Sequence, residues 1–261
     1  MIYTSMALSF FLSFVLGHLI GDFVLQPYWL VLAKRNGWRG LFIHVGVVTF
    51  ITGILAWGTI PNWWVWIIVL FIGHLFIDQF RTFIFTDNTK GKGLLLLVLD
   101  QLAHFVLIVL ISWGATGWTF SDLQLLSLGD VTVGQYQMMA YLIGLATMIG
   151  VVPVLEAEIT VAAWAAQGHE VNKTVEIASS DRVLGAVERI TAVILILSHL
   201  GWIAPVIFLP RLALMIHQGQ ARDDRTAVTV KVVTSFVMAA TVALMLYNVP
   251  PPVVSLVRAF G

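Results

Sequence analysis

The chain contains no cysteine, which excludes disulfides, thiolate metal ligands and cysteine nucleophiles. Charge is scarce as well. Asp, Glu, Lys and Arg make up 11% of the residues, against roughly 25% in soluble domains. Those charges cancel, 14 of each sign, so the net balance points neither to nucleic acid nor to acidic substrates. The remainder is apolar: 59% hydrophobic, with a mean hydropathy of +0.93. A water-soluble protein with so little polar surface could not cover itself, so the bilayer is the expected solvent. The N-terminus lacks a positive flank, and its apolar run carries His18 and Asp22. It therefore reads as a retained span rather than a leader.

The sequence predicts an all-α, polytopic transmembrane bundle of about eight spans. Residues 3–26 form the first span, closed by Pro27, which cannot continue the helical ladder. A short basic link with Lys34, Arg35 and Arg39 follows. The second span covers 41–59, and a hairpin turn at 59–62 leads into the third, 62–84, opened by the interfacial residues Trp63, Trp64 and Trp66. A polar loop from Thr86 to Gly93 precedes the fourth span, 94–113. Three divisions follow: a four-span domain over 1–113, an external loop over 114–134 with Asp122 and Asp130, and a C-terminal half over 135–261. In that half, 135–155 is a fifth span that bends at Pro153 and runs on to Gln167, with Glu156 and Glu158 facing water. Residues 168–182 are loop-like, 183–218 are two short or tilted helices joined near Gly201, and 227–248 are the last span, ended by Pro250, Pro251 and Pro252. If the first link is cytoplasmic, alternation puts thirteen of the fourteen Lys/Arg on that side and only Arg258 outside. That is a positive-inside signal. It implies a multi-pass membrane protein with both termini outside.

Ionisable residues inside spans are costly and call for a reason. His18, Asp22 and Gln26 recur every four residues and share one helical face. The same spacing returns at His74/Asp78 and, reversed, at Asp100/His104. At a rise of roughly 1.5 Å per residue, Asp22, Asp78 and His44 lie about 6–8 Å from the cytoplasmic ends of their spans. His18, His74 and Asp100 lie about 10–14 Å deep, and His104 roughly 16 Å. Spans running in opposite directions thus place His18, Asp22, His44, His74, Asp78, Asp100 and His104 in one layer. Four imidazoles and three carboxylates without sulfur suit zinc first, then manganese or iron. The histidines would be ligands. Asp22, Asp78 and Asp100 would be ligands, bridges or a general base. Gln26 and Arg81 flank the layer, and Arg81 would hold a substrate phosphate or pair with Asp78. Glu188 and Arg189 would line the site or pair locally. His199 and His217 read as single satisfied or interfacial histidines.

At His18-Leu-Ile-Gly-Asp22-Phe-Val-Leu-Gln26, His44, Gly73-His74-Leu-Phe-Ile-Asp78 and Asp100-Gln101-Leu-Ala-His104, the sequence resembles the bacterial membrane family known as domain of unknown function 3307. The resemblance covers roughly residues 8–113. Gly185-Ala-Val-Glu188-Arg189 is similar to a segment of longer members, and Pro210-Arg211 fits that pattern loosely. The His-x3-Asp helices also resemble, more distantly, membrane-bound metal-dependent hydrolases and zinc phospholipases C. That likeness implies phosphoester hydrolysis, for instance of a lipid head group. Two other functions stay open. One is an ion- or proton-coupled transporter using the cluster as a relay; the other is a non-catalytic scaffold binding partners on its basic cytoplasmic face. No nucleic-acid partner is expected.

Overall fold

The computed structural model describes residues 2–84, 92–118, 134–168, 179–217 and 222–249. The expected features at Asp122, Asp130, Pro250–Pro252 and Arg258, and most of the loops at 86–93 and 168–182, lie outside them. Every regular element among the described residues is helical. In order they are α1 (Ile2–Leu19), α2 (Tyr28–Arg35), α3 (Trp38–Ala56), α4 (Trp63–Gln79), α5 (Gly93–Thr116), α6 (Gly134–Ala146), α7 (Val152–Ala166), α8 (Ser179–Leu197), α9 (Leu209–His217) and α10 (Arg222–Leu246).

Six stretches of the described residues are long and apolar enough to cross a membrane: Met6–Val24, Trp38–Ala56, Trp63–Thr82, Gly93–Thr116, Tyr136–Ala166 and Arg225–Leu246. Even the 19-residue ones reach about 28 Å, close to the hydrocarbon thickness. Their outward faces are apolar, as at Ile68, Ile72 and Phe76 of α4 and Leu102, Phe105 and Leu110 of α5. Only lipid makes so much exposed apolar surface tolerable. The two remaining members of the expected eight differ in kind. Helix α8 carries Asp181, Arg182, Glu188 and Arg189, too much charge for an ordinary span. Gly201–Ala213 is apolar but short, a 3-10 turn containing Pro205 that runs into α9. The basic link after the first span holds a helix of its own, α2, whose start follows Pro27 in extended conformation.

Three helices widen into single π-turns, at Ile20–Val24, Phe80–Ile84 and Thr147–Val151. In the first, Leu25 N–H donates to the Ile20 carbonyl five residues back, at 2.8 Å. Such turns shift the register of a helical face and cluster at functional sites. The third ends two residues before Pro153, whose missing N–H cannot join a regular ladder.

The chain divides into two compact units: residues 1–86, 96–146 and 248–261 form one, and 87–95 with 147–247 the other. In the first, Phe10, Phe14, Ala56, Ile60, Leu70, Ile108 and Ile111 form an apolar core. Helices α1 and α3 approach closely because Gly17 and Gly21 lie four apart on α1, the small-residue pattern of packed membrane helices. A Cβ at Gly21 would stand 2.6 Å from the Val48 Cα. We expect Gly21→Ala to cost about 2 kcal/mol by overpacking. The matching fall in melting temperature in detergent is roughly 4–8 °C. Gly46, which meets nothing within 4 Å, is the control: Gly46→Ala should not lower it. Equal melting temperatures for both variants would refute the close-packing account.

Candidate metal centre

The buried face of each helix in the first unit steps by four residues, and along it apolar side chains give way to polar ones. On α1 and the π-turn that continues it the series is Phe10, Phe14, His18, Asp22; on α3 it is His44, Val48, Thr52, Ala56; on α4 it is Leu70, His74, Asp78; on α5 it is Asp100, His104, Ile108. All of these are buried. Thr52 keeps its hydroxyl within its own helix, donating to the Val48 carbonyl at 2.8 Å, so it adds no polar demand to the interior. The four stripes leave the imidazoles and carboxylates together at one level, as the depth argument required. All seven sequence-predicted ligands are in this cluster.

Four atoms sit at its centre: Nε2 of His44 and His74, Oδ1 of Asp22 and Oδ2 of Asp78. His44 Nε2 is 2.9 Å from Asp22 Oδ1 and 3.1 Å from Asp78 Oδ2. His74 Nε2 is 3.3 and 3.5 Å from the same oxygens, and the two nitrogens are 3.4 Å apart. A tetrahedral zinc with bonds of about 2.0–2.1 Å has ligand-to-ligand edges of roughly 3.3 Å. The five separations scatter around that length. Close as they are, the carboxylate contacts are not aligned as hydrogen bonds. Neither Asp22 Oδ1 nor Asp78 Oδ2 has a hydrogen-bond partner among the described residues.

The surroundings fix several of these groups. His104 Nδ1 lies 2.9 Å from the Asp100 carbonyl oxygen. A carbonyl only accepts, so Nδ1 carries the proton and Nε2 keeps its lone pair. Gln26, which flanks the layer, has its amide 3.2 Å from His44 Nδ1. Its amide oxygen and nitrogen are interchangeable by a flip. With the oxygen turned inward it accepts Nδ1–H and leaves His44 Nε2 free to ligate. Asp78 pairs with Lys34 Nζ at 2.8 Å, and Arg81 Nη1 pairs with Asp100 Oδ2 at 2.8 Å. Arg81 therefore reaches across to α5 rather than back to Asp78 on its own helix, because the π-turn that contains it shifts its register. Three carboxylates against two cations leave the cluster with one surplus negative charge.

Two members escaped the sequence reading. Lys34 belongs to α2, where a lysine in a basic link looks merely solvated. Gln101 is adjacent to Asp100 and so off its face on a regular helix. It nonetheless donates its amide nitrogen to Asp100 Oδ2 (3.0 Å) and Asp22 Oδ2 (3.4 Å), and its oxygen lies 3.1 Å from His18 Nε2.

Glu188 and Arg189 belong to the second unit, where they build a separate buried cluster. Glu156 is in it, and it is 5% exposed rather than facing water. Its Oε1 accepts from Arg189 Nη1 at 3.1 Å and from the Ser235 hydroxyl. Arg189 Nε donates to the Met148 carbonyl at 2.9 Å, an oxygen in the π-turn, where the regular helical ladder is interrupted. Arg211, for which the sequence offered only a loose pattern, is buried with its Nε 3.4 Å from Glu188 Oε2. His199 is exposed and edge-on to Tyr247 at 5.8 Å. The side chain of His217 lies outside the described residues.

Residues 10–128 match a family described as "Protein of unknown function (DUF3307)". The match contains all seven candidate ligands and bears out the resemblance read at their polar motifs. No curated protein and no solved structure matches the chain, so the more distant likeness to metal-dependent hydrolases gains no support from them.

Proposed function

We propose that this chain, whose residues 10–128 match the DUF3307 family, is an inner-membrane metalloprotein that binds a divalent ion, zinc by ligand chemistry, and hydrolyses a phosphoester such as a lipid head group from the cytoplasmic leaflet. The observation behind it is the group of two imidazole nitrogens and two carboxylate oxygens, whose nitrogen–oxygen separations are near those of a zinc shell and are not aligned as hydrogen bonds. Charge supports the reading. One divalent ion turns the surplus negative charge into a surplus positive one, the sign that suits an anionic phosphoester. An ion with an open coordination position lowers the pKa of bound water and polarises a phosphoryl oxygen. The asymmetry of Lys and Arg favours a cytoplasm-facing site, with both termini outside.

Elemental analysis of the purified, detergent-solubilised protein tests the metal. We expect stoichiometric zinc or manganese in the wild type and a loss in His74→Ala. Metal at background in the wild type, or unchanged in the variant, would end this reading. One observation favours a second function. The lone surplus negative charge would also be neutralised by a single imidazolium, which makes the cluster a plausible proton relay. Proton flux into proteoliposomes by metal-free protein, abolished in Asp78→Asn, would establish the relay instead.

A further inference from the structure

We infer that the first unit holds two divalent ions, the second on His18, His104 and Asp22, with Asp22 bridging them. This deepens the metal reading and rests on it.

Asp22 is the hinge of the argument because its oxygens face different histidines. Oδ1 is turned to Nε2 of His44 and His74. Oδ2 is turned to the His18 ring, 3.8 Å from the Nε2 that Gln101 engages. A carboxylate placed this way donates one oxygen to each of two ions, the usual arrangement of a two-metal site. His18, Asp22 and His104 each offer a ligand atom, and those atoms lie within 4.8 Å of one another. The His18 and His104 rings stack with centroids 5.0 Å apart.

Protonation points the same way. Gln101 directs its amide nitrogen at two carboxylates and so must present its oxygen to His18 Nε2. His18 then donates from Nε2 and keeps its lone pair on Nδ1. His104, bonded to the Asp100 carbonyl through Nδ1, keeps its own on Nε2. Both lone-pair nitrogens are buried, and neither has a hydrogen-bond partner among the described residues. Two basic nitrogens beside a carboxylate, in a bilayer-embedded interior, are costly unless something electrophilic takes them.

Both ions would keep room for water. Asp22, His44 and His74 offer the first ion ligand atoms within 4.8 Å of one another, as His18, Asp22 and His104 do for the second. Three protein ligands leave an open position, as in catalytic zinc sites. Water or a phosphoryl oxygen would bind there.

The test uses the full chain in detergent, loaded with Mn²⁺ and cleared of excess by gel filtration. Elemental analysis should give about two ions per chain, with the exchange-coupled electron paramagnetic resonance spectrum of a bridged pair. His104→Ala should retain about one ion, with the spectrum of isolated Mn²⁺. About one ion in the wild type, kept in His104→Ala, overturns the second site while leaving the first intact. No ion in the wild type overturns both. Two ions without coupling overturn the Asp22 bridge. If His104→Ala does not purify as a folded species, His18→Asn carries the same expectation, and the wild-type stoichiometry alone still decides.

Discussion

Asp22→Asn is expected to strip the first unit of metal. Asp22 is the one side chain whose two oxygens face both histidine groups, so removing its charge weakens the shell of each ion at once. Asparagine keeps the shape, and the helix around it should persist, packed through Gly17 and Gly21. Loss of an outer hydrogen-bond partner typically costs roughly 10–100-fold in metal affinity. Gln26→Ala, which removes only the support of His44 Nδ1, should fall in that range. Asp22→Asn should exceed it, by a thousandfold or more, and that corresponds to about 4 kcal/mol of lost stabilisation at a matched metal concentration. Thermal unfolding in detergent, with free zinc fixed by a chelator buffer, measures this directly. The wild type should gain stability as zinc rises, Gln26→Ala should gain it at higher zinc, and Asp22→Asn should gain none. A wild type indifferent to zinc would refute the metal and leave the proton relay. Equal responses from the two variants would refute the separate roles given to ligand and support.

The ranking also shows which parts of the centre a sequence can display. His18/Asp22, His74/Asp78 and Asp100/His104 are legible because a spacing of four keeps both members of a pair on one face, and an apolar context makes each pair conspicuous. Alternating spans then bring the pairs to one depth without any knowledge of packing. Lys34 is invisible to that logic. It sits outside a span, and its contact with Asp78 exists only because α2 folds back as a helix beside α3. Arg81 and Gln101 fail for a related reason: an ideal helix assigns Arg81 to the face of Asp78, and Gln101 to no shared face at all. A π-turn holds the first, and the second reaches between neighbouring helices. Span counting met a similar limit. The charges of α8 look like a polar flank until Arg189 and Glu188 are found buried.

Those charges set the largest stability effect expected in the second unit. Glu156, Arg189 and Ser235 come singly from three helices, so no periodicity links them, yet all three are buried and bonded to one another. Desolvating such a pair is expensive, and removing one partner leaves the other charge buried and uncompensated, a loss of about 3–5 kcal/mol. Glu156→Ala should therefore melt far below the wild type, by roughly 6–20 °C for a chain of this size. Arg189→Met should do likewise, since Glu156 would keep only the Ser235 hydroxyl. Glu156→Gln retains an acceptor for Arg189 and should lose less than Glu156→Ala. Combining Glu156→Leu with Arg189→Met removes both charges. The remaining cost is then the unfilled hydrogen bonds at the Met148 carbonyl and the Ser235 hydroxyl, about 1–3 kcal/mol each, with no charge left buried alone, so the double variant should lose less than the sum of the two single replacements. A double variant whose loss equals the sum of the two singles would mean that the pair is not coupled. The buried cluster would then be held by packing over Gly185, where a Cβ would stand 2.8 Å from Arg189 Nη1 and 2.9 Å from Arg211 Nη2.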